Sequence, residues 1–273
     1  MKHYVIRCED GQFTLDRAKY DTIKELIQVY MHEGIAIDNQ GQVRIRQPVP
    51  LQKWELTHAQ VTIGAKLGQG AYGEVCRGKV GGRDVAIKQN HMGNLNKEQI
   101  KEVMAEARNM RRLVHPNIAR LLGIAALDEP LLIVMELAAD GSLDSYLKKH
   151  GAAMSDKKKA AMCQQVSWAL CYMKDKKILH RDLAARNCLL HQGTIKLSDF
   201  GKSQPGPAYA MDPHERLPIR WLSPESMTSL IYDYAAEVWS FGVTCWEIFH
   251  DGAEPYPGMM VREVSEAVRS LFY

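Results

Sequence analysis

Apolar and polar residues alternate through Tyr4-Val5-Ile6-Arg7-Cys8 and Phe13-Thr14-Leu15, with Glu9-Asp10-Gly11-Gln12 between them. This period of two predicts two strands joined by a turn. The period then lengthens: Ile23, Leu26, Ile27 and Tyr30 fall on one face of a helix, and a polar loop ends at Pro48-Val49-Pro50. Strand-like stretches resume at Val61-Thr62-Ile63 and run through Val75 and the turn Gly81-Gly82 to Val85-Ala86-Ile87-Lys88. A second amphipathic helix is expected from about Lys97 to Leu113, where Ile100, Val103, Met104, Ala107 and Met110 form a stripe. His115-Pro116-Asn117 breaks the chain before two more strands, the second being Leu131-Leu132-Ile133-Val134-Met135.

Farther on the pattern is helical. Asp140-Gly141-Ser142 caps a short helix containing Leu143 and Leu147, and Ser155 opens a long one. In the long helix Ala161, Met162, Val166, Ala169, Leu170 and Met173 are expected to face a core. The most apolar segment, Val238 to Phe249, contains Glu247 and follows Glu237. It is too short to span a bilayer and reads as a buried helix. The expected fold class is α+β, with a small β-rich part followed by a larger helical one.

Composition narrows the class further. A chain of 273 residues, 46% hydrophobic and 25% charged, can bury a sizeable core. A net charge of +3 is too mild to argue for nucleic acid or a membrane surface, and Lys157, Lys158 and Lys159 read as the solvated start of a helix. The six cysteines, Cys8, Cys76, Cys163, Cys171, Cys188 and Cys245, are scattered without metal-ligand spacing. Reduced thiols in the cytosol are the simplest expectation. The first residues lack the apolar run of a signal peptide, and no transmembrane segment is expected.

The chemistry lies where polar residues interrupt the apolar pattern. Lys88 ends an apolar strand, where an ammonium is costly to bury unless paired. Glu106 falls on the apolar stripe of the second helix, where an acid needs a cation, so the two are expected to pair. Leu67-Gly68-Gln69-Gly70-Ala71-Tyr72-Gly73-Glu74-Val75 offers backbone amides that can close over phosphate oxygens. A dinucleotide-binding loop would open a helix after such glycines; here the chain continues as strand. His180-Arg181-Asp182-Leu183-Ala184-Ala185-Arg186-Asn187, followed by Asp199-Phe200-Gly201, places one carboxylate to accept a hydroxyl proton. An amide and a second carboxylate can hold metal, while an arginine and a histidine brace the loop. That is the toolkit of phosphoryl transfer.

In order and spacing these motifs resemble those of protein kinases, and the Ala-Ala-Arg version of the catalytic loop is similar to that of tyrosine kinases. The resemblance implies a two-lobed fold, with residues 61–136 as the small nucleotide lobe and 137–273 as part of the larger helical lobe. It implies ATP held by Leu67, Gly68, Gly70, Gly73, Val75, Ala86, Lys88, Met135, Glu136, Ala138 and Leu189. Met135 guards the back pocket, Glu136-Leu137-Ala138 is the hinge, and Val75, Ala86 and Leu189 sandwich the base. Asn187 and Asp199 are implied as ligands of Mg2+ or Mn2+, and Asp182, Arg186, Lys88 and Glu106 as catalytic. Tyr209, in a segment from Lys202 to Glu225 that looks like an activation loop, is the candidate phosphorylation site, its phosphate pairing with Arg181. Leu217-Pro218-Ile219-Arg220-Trp221 resembles the platform that supports a substrate phenol ring.

Three departures from the family pattern stand out. Glu237 occupies the place of an aspartate that braces the catalytic loop, so the brace is expected to shift. Lys202 follows Asp-Phe-Gly where an apolar residue is usual. The family's last helices, with an arginine that pairs with Glu225, would lie beyond Tyr273.

Residues 1–48 resemble the C-terminal half of an SH2 domain, with 49–60 as a linker whose Trp54-Glu55-Leu56 docks on the next lobe. An unrelated strand-helix unit remains the alternative. The arginine-bearing strand that grips phosphotyrosine would lie upstream of Met1, so phosphotyrosine binding by this unit is not expected. A half SH2 unit, a linker and a kinase domain in that order look like the Fes/Fer group of cytoplasmic, non-receptor tyrosine kinases. The function so implied is transfer of the γ-phosphoryl of ATP to tyrosine hydroxyls of protein substrates. Its setting is phosphotyrosine signalling in the cytoplasm, with recruitment to the inner membrane surface through partners left open. A catalytically silent scaffold or an adaptor is the alternative, since the chain is expected to be cut short at both ends.

Overall fold

A computed structural model of the protein describes residues 6–15, 18–37, 41, 43–47, 51–70, 73–91, 97–212, 215 and 217–270. The chain packs as two units, residues 1–52 and 53–273. In the first, strands β1 (Arg7–Glu9), β2 (Gln12–Thr14) and β3 (Lys19–Tyr20) form an antiparallel sheet, and helix α1 (Ile23–His32) follows. Thr22 caps α1, its hydroxyl accepting from the Glu25 amide at 3.1 Å. Leu26 and Tyr30 are buried with Leu15, and the Tyr30 hydroxyl donates to the Leu15 carbonyl. Ile23, expected on the buried face, is 46% exposed because it opens the helix. Tyr4 and Val5 of the expected first strand lie outside the described residues.

The second unit begins with β4 (Glu55–Leu56), β5 (Val61–Gly70), β6 (Gly73–Val80), β7 (Arg83–Asn90), helix α2 (Lys97–Arg111), β8 (Leu121–Ala125) and β9 (Leu131–Glu136). The six strands form one sheet in the order β4-β8-β9-β7-β6-β5, in which only β4 pairs in parallel. The segment expected to dock does so as strand: Glu55 and Leu56 pair with Ile124 and Ala125, and the Arg111 guanidinium lies 4.5 Å from the Trp54 ring centre.

The helical part runs α3 (Leu143–His150), α4 (Asp156–Asp175), β10 (Ile178–Leu179), β11 (Cys188–His191), β12 (Thr194–Leu197), β13 (Gln204–Pro205), β14 (Ala208–Ala210), α5 (Pro224–Ser229), β15 (Ile231–Asp233), α6 (Tyr234–Phe249) and α7 (Val261–Arg269). Its short strands pair antiparallel as β10 with β13, β11 with β12 and β14 with β15. Ser155 caps α4 as expected, and Met162, Val166, Ala169 and Met173 are buried. Ala161 is exposed and Lys159 is buried instead, its Nζ 2.6 Å from Asp251. The buried face is the expected one apart from Ala161, and the lysine run is only partly solvated.

One apolar core extends from α2, β8 and β9 through α3 and α4 to β10, β11 and β12. The other face of the sheet buries Val85, Ile87, Ala125, Leu132 and Val134. Helix α6 inverts the usual pattern. Glu237, Ser240, Thr244 and Glu247 are buried, whereas Val238 is 66% exposed. Val238, Trp239, Val243 and Trp246 line an apolar pocket of about 790 Å³ with Glu225 at its edge. Glu225 has no ion pair among the described residues.

Candidate active site

The register of the sheet assembles the first part of the site. Ala86 lies opposite Met135, and Val75 opposite Lys88, in antiparallel pairs whose side chains share a face. Alternation on β7 puts Ala86 and Lys88 on that same face, so four positions expected to meet a nucleotide come together. Leu67 is more than half exposed on β5, and Leu189 bridges to Ser142 on the helical side. The Glu136 amide donates to the Arg120 carbonyl at 2.9 Å and its carboxylate pairs with Lys196 at 2.7 Å, which fixes the end of β9.

Gly68, Gly70 and Gly73 lie on the β5–β6 hairpin, with Ala71 and Tyr72 at its turn outside the described residues. A side chain on Gly73 would place its Cβ 1.7 Å from the Gln89 carbonyl oxygen, so the neighbouring strand alone requires glycine there. At Gly68 a Cβ would meet nothing within 4 Å.

Lys88 and Glu106 pair as expected. Lys88 Nζ lies 2.8 Å from both Glu106 oxygens, with both side chains buried. Burial pushes the Glu106 carboxyl above the ordinary glutamate range, against the opposing pull of Lys88. On its other side Lys88 is 3.9 Å from Asp199 Oδ1. Phe200 is fully buried in the core, and the His180 ring meets it edge-on at 5.1 Å. Asn109, also on α2, donates to the carbonyl and hydroxyl of Ser203 at 2.9 and 3.0 Å. α2 thus holds both Lys88 and the chain just after Asp-Phe-Gly.

The catalytic loop is held from below by two acids of α6. Glu237 accepts from the amides of His180 at 2.8 Å and Arg181 at 3.1 Å, and from the Tyr232 hydroxyl at 3.1 Å. The longer acid therefore braces both amides, and the expected shift does not displace the contact. Glu247 accepts from the Ala185 amide at 2.9 Å and the Trp221 indole at 2.8 Å. Burial raises its carboxyl above the ordinary range, opposed by these two hydrogen bonds.

Above this base, Arg186 Nη2 lies 2.5 Å from Asp182 Oδ1 and its guanidinium is 4.3 Å from the Trp221 ring centre. The guanidinium so placed neutralises one oxygen of the Asp182 carboxylate. Asn187 Nδ2 donates to the Asp182 carbonyl at 2.6 Å, so the amide oxygen is the atom of this side chain able to ligate a metal. The Asp199 side chain is 53% exposed at a left-handed φ of 57°. One carboxylate and one amide oxygen are hard donors that suit Mg2+ or Mn2+. Among the described residues no cluster of three or more His, Cys, Asp or Glu could hold a metal by itself. Two protein ligands with phosphate oxygens and water completing the shell is the usual arrangement for Mg2+.

Arg181 is buried, donating to the Lys202 carbonyl at 3.1 Å and pairing with Glu215 at 2.7 Å. Its guanidinium stacks 3.7 Å from the centre of the Tyr209 ring. Glu247, Asn109 and Glu215 escaped the sequence reading. Glu247 carried a usable signal, since an acid in an apolar run needs partners. Asn109 and Glu215 carried none, because their partners are backbone or distant in sequence.

A small sheet-based lobe whose lysine–glutamate pair faces an Asp-Phe-Gly turn, above a loop carrying Asp182 and Asn187, defines a phosphotransferase of the two-lobed kinase class. Comparison with known proteins agrees. Residues 61–271 match the family of protein tyrosine and serine/threonine kinases, and the chain belongs to that family. The family uses ATP and a divalent metal ion. Among curated relatives, Fer-related kinase 1 of Caenorhabditis elegans is 37% identical over 87% of this chain and 61% of its own length. Tyrosine-protein kinase Fer of Rattus norvegicus is 32% identical over 98% of this chain and 33% of its own. The transforming protein Fps of Fujinami sarcoma virus, a tyrosine-protein kinase, is 31% identical over 98% of this chain and 31% of its own. The chain thus spans between about a third and three-fifths of these relatives' lengths, and the resemblance to the Fes/Fer group is borne out.

Proposed function

We propose that the chain is a non-receptor protein-tyrosine kinase that transfers the γ-phosphoryl of ATP to tyrosine hydroxyls of protein substrates. The observation that carries this reading is the closed Lys88–Glu106 pair at 2.8 Å, with Asp199 3.9 Å from the same ammonium. A lysine so held presents its charge to the α and β phosphates without the cost of ordering it at each turnover.

The remaining roles follow from position. The backbone at Glu136 and Ala138 binds the adenine edge, Val75, Ala86 and Leu189 cover its faces, and Met135 bounds the pocket behind it. Gly68, Gly70 and Gly73, beside Leu67, let the hairpin close over the phosphates. Asn187 and Asp199 hold the divalent cation, which when bound neutralises phosphate charge. Asp182 orients the acceptor hydroxyl and takes its proton, and Arg186 holds the Asp182 carboxylate in place. Ala184, in place of the lysine usual in serine/threonine kinases, together with the platform of Leu217 to Trp221, favours tyrosine as acceptor. Tyr209 is the phosphorylation site of the segment from Lys202 to Glu225, and Arg181 is the cation its phosphate would meet.

Residues 1–48 fit the C-terminal half of an SH2 domain, a reading supported by the hairpin and by the helix packed on Leu15. The reading places the protein in the cytoplasm, recruited to membranes through partners. It is supported by the free state of all six cysteines and by the lack, among the described residues, of a helix long and apolar enough to cross a membrane.

The test is phosphotyrosine formation by purified chain 1–273 with Mg-ATP and a generic tyrosine polymer, beside Asp182→Asn. Incorporation should fall by about 10²–10⁴-fold in the variant while nucleotide still raises its melting temperature. No incorporation by a wild-type protein that melts cooperatively and is stabilised by nucleotide would replace the kinase reading with a silent scaffold.

A further inference from the structure

The Arg181 side chain is 4% exposed and its backbone sits at a φ of 68°. From there it reaches three parts of the segment that follows Asp-Phe-Gly. Nη1 donates to Lys202 at the start, the guanidinium covers the Tyr209 ring in the middle, and Nη2 meets Glu215 at the end. The middle is also tied to the body of the lobe, because β14 pairs with β15 and Tyr209 lies opposite Tyr232.

A guanidinium this deeply buried needs an anion. Glu237, the other acid near it, is already engaged by the His180 and Arg181 amides and the Tyr232 hydroxyl. Glu215, 24% exposed, is the acid that reaches the guanidinium itself. In the same structure the Lys88–Glu106 pair is closed and Phe200 is buried, so the assembled site and the Arg181–Glu215 pair occur together.

We propose that Glu215 is a positioning residue that neutralises Arg181 from within the chain, taking the place that a phosphate on Tyr209 was expected to fill. Residues 202–212 are then held in place without modification. A phosphate on Tyr209 would bring a second anion beside Glu215 and exchange with it, so phosphorylation substitutes for the existing contact instead of creating one. This inference rests on the kinase reading and specifies how that site is regulated.

The experiment uses the full chain as wild type, Glu215→Gln, Glu215→Asp and Tyr209→Phe, which keeps the ring on Arg181. Backbone hydrogen exchange is read without nucleotide, and initial rates on the tyrosine polymer are read without preincubation in ATP. Glu215→Gln should speed exchange through residues 202–212 while leaving β6, β7 and β9 unchanged, which a general loss of folding would not do. It should lower kcat by about tenfold or more, Glu215→Asp should recover most of that, and Tyr209→Phe should stay within about twofold of wild type. The proposal is overturned if Tyr209→Phe slows the enzyme as much as Glu215→Gln does, or if Glu215→Gln leaves exchange over 202–212 unchanged. If no form incorporates phosphate the kinase reading fails, and the exchange data alone decide on Glu215.

Discussion

Buried acids are used in two ways in the two parts of the catalytic unit. In the sheet part, Glu106 meets a side-chain cation, Lys88, across the gap between α2 and β7. In the helical part, Glu237 and Glu247 meet backbone amides of the catalytic loop, with a phenol and an indole completing their partners. The difference matters physically, because both members of an ion pair can be exchanged for apolar residues, whereas a backbone N–H persists under every side-chain substitution except proline. The first arrangement can be replaced as a pair; the second cannot, because its partners belong to the main chain.

The largest effect is expected where the amides lose their acceptor. Glu237→Leu orphans the His180 and Arg181 amides, at about 1–3 kcal/mol for each buried donor, and leaves the Tyr232 hydroxyl with Ser240 alone. Chemical denaturation should show the loss, and no second side-chain change at a partner should repair it. Recovery of wild-type stability by any such double variant would erase the distinction drawn above.

Next comes the ion pair. Glu106→Gln leaves Lys88 buried without its partner and should cost about 3–5 kcal/mol. The double variant Lys88→Met with Glu106→Leu should regain most of that stability while nucleotide no longer raises the melting temperature. A double variant as unstable as the single one would show that the pair is structural, not a device for holding a ligand.

The smallest effect is a slope with pH. Burial raises the Glu247 carboxyl above 4.5, the value taken for the unfolded chain, so the native state keeps a proton that the unfolded chain gives up first. Its contribution to stability is therefore full below pH 4.5 and is lost as pH rises through the native value. Urea melts at stepped pH should show wild type losing stability over that window relative to Glu247→Gln, which cannot titrate. Parallel curves for the two proteins would mean that the amide and indole hydrogen bonds fully offset the burial.

Much of this was legible beforehand where a residue violated its local pattern. Lys88 closing an apolar strand and Glu106 on an apolar stripe each demanded a partner, and the two met. Glu247 broke the pattern in the same way, but an acid satisfied by backbone leaves no complementary charge to search for. Ala161 and Lys159 misled for a related reason. A lysine with a long apolar stem can be buried if its ammonium finds an acid, and Asp251 stands far along the chain at the end of α6. Gly73 was legible as a glycine but not for its reason, since the strand that excludes a side chain there is β7.

By itself the sequence determined the order of strands and helices, the catalytic and metal-binding motifs and the class of chemistry, because these depend on local periodicity and on residue types at short spacing. Only the tertiary structure decided what holds those motifs still. The Glu237 and Glu247 braces, the Arg186–Asp182 contact beneath a Trp221 face, and the Glu215 carboxylate on Arg181 all join groups brought together by packing. Their energies depend on burial and direction, which no stretch of sequence specifies until the chain has folded around them.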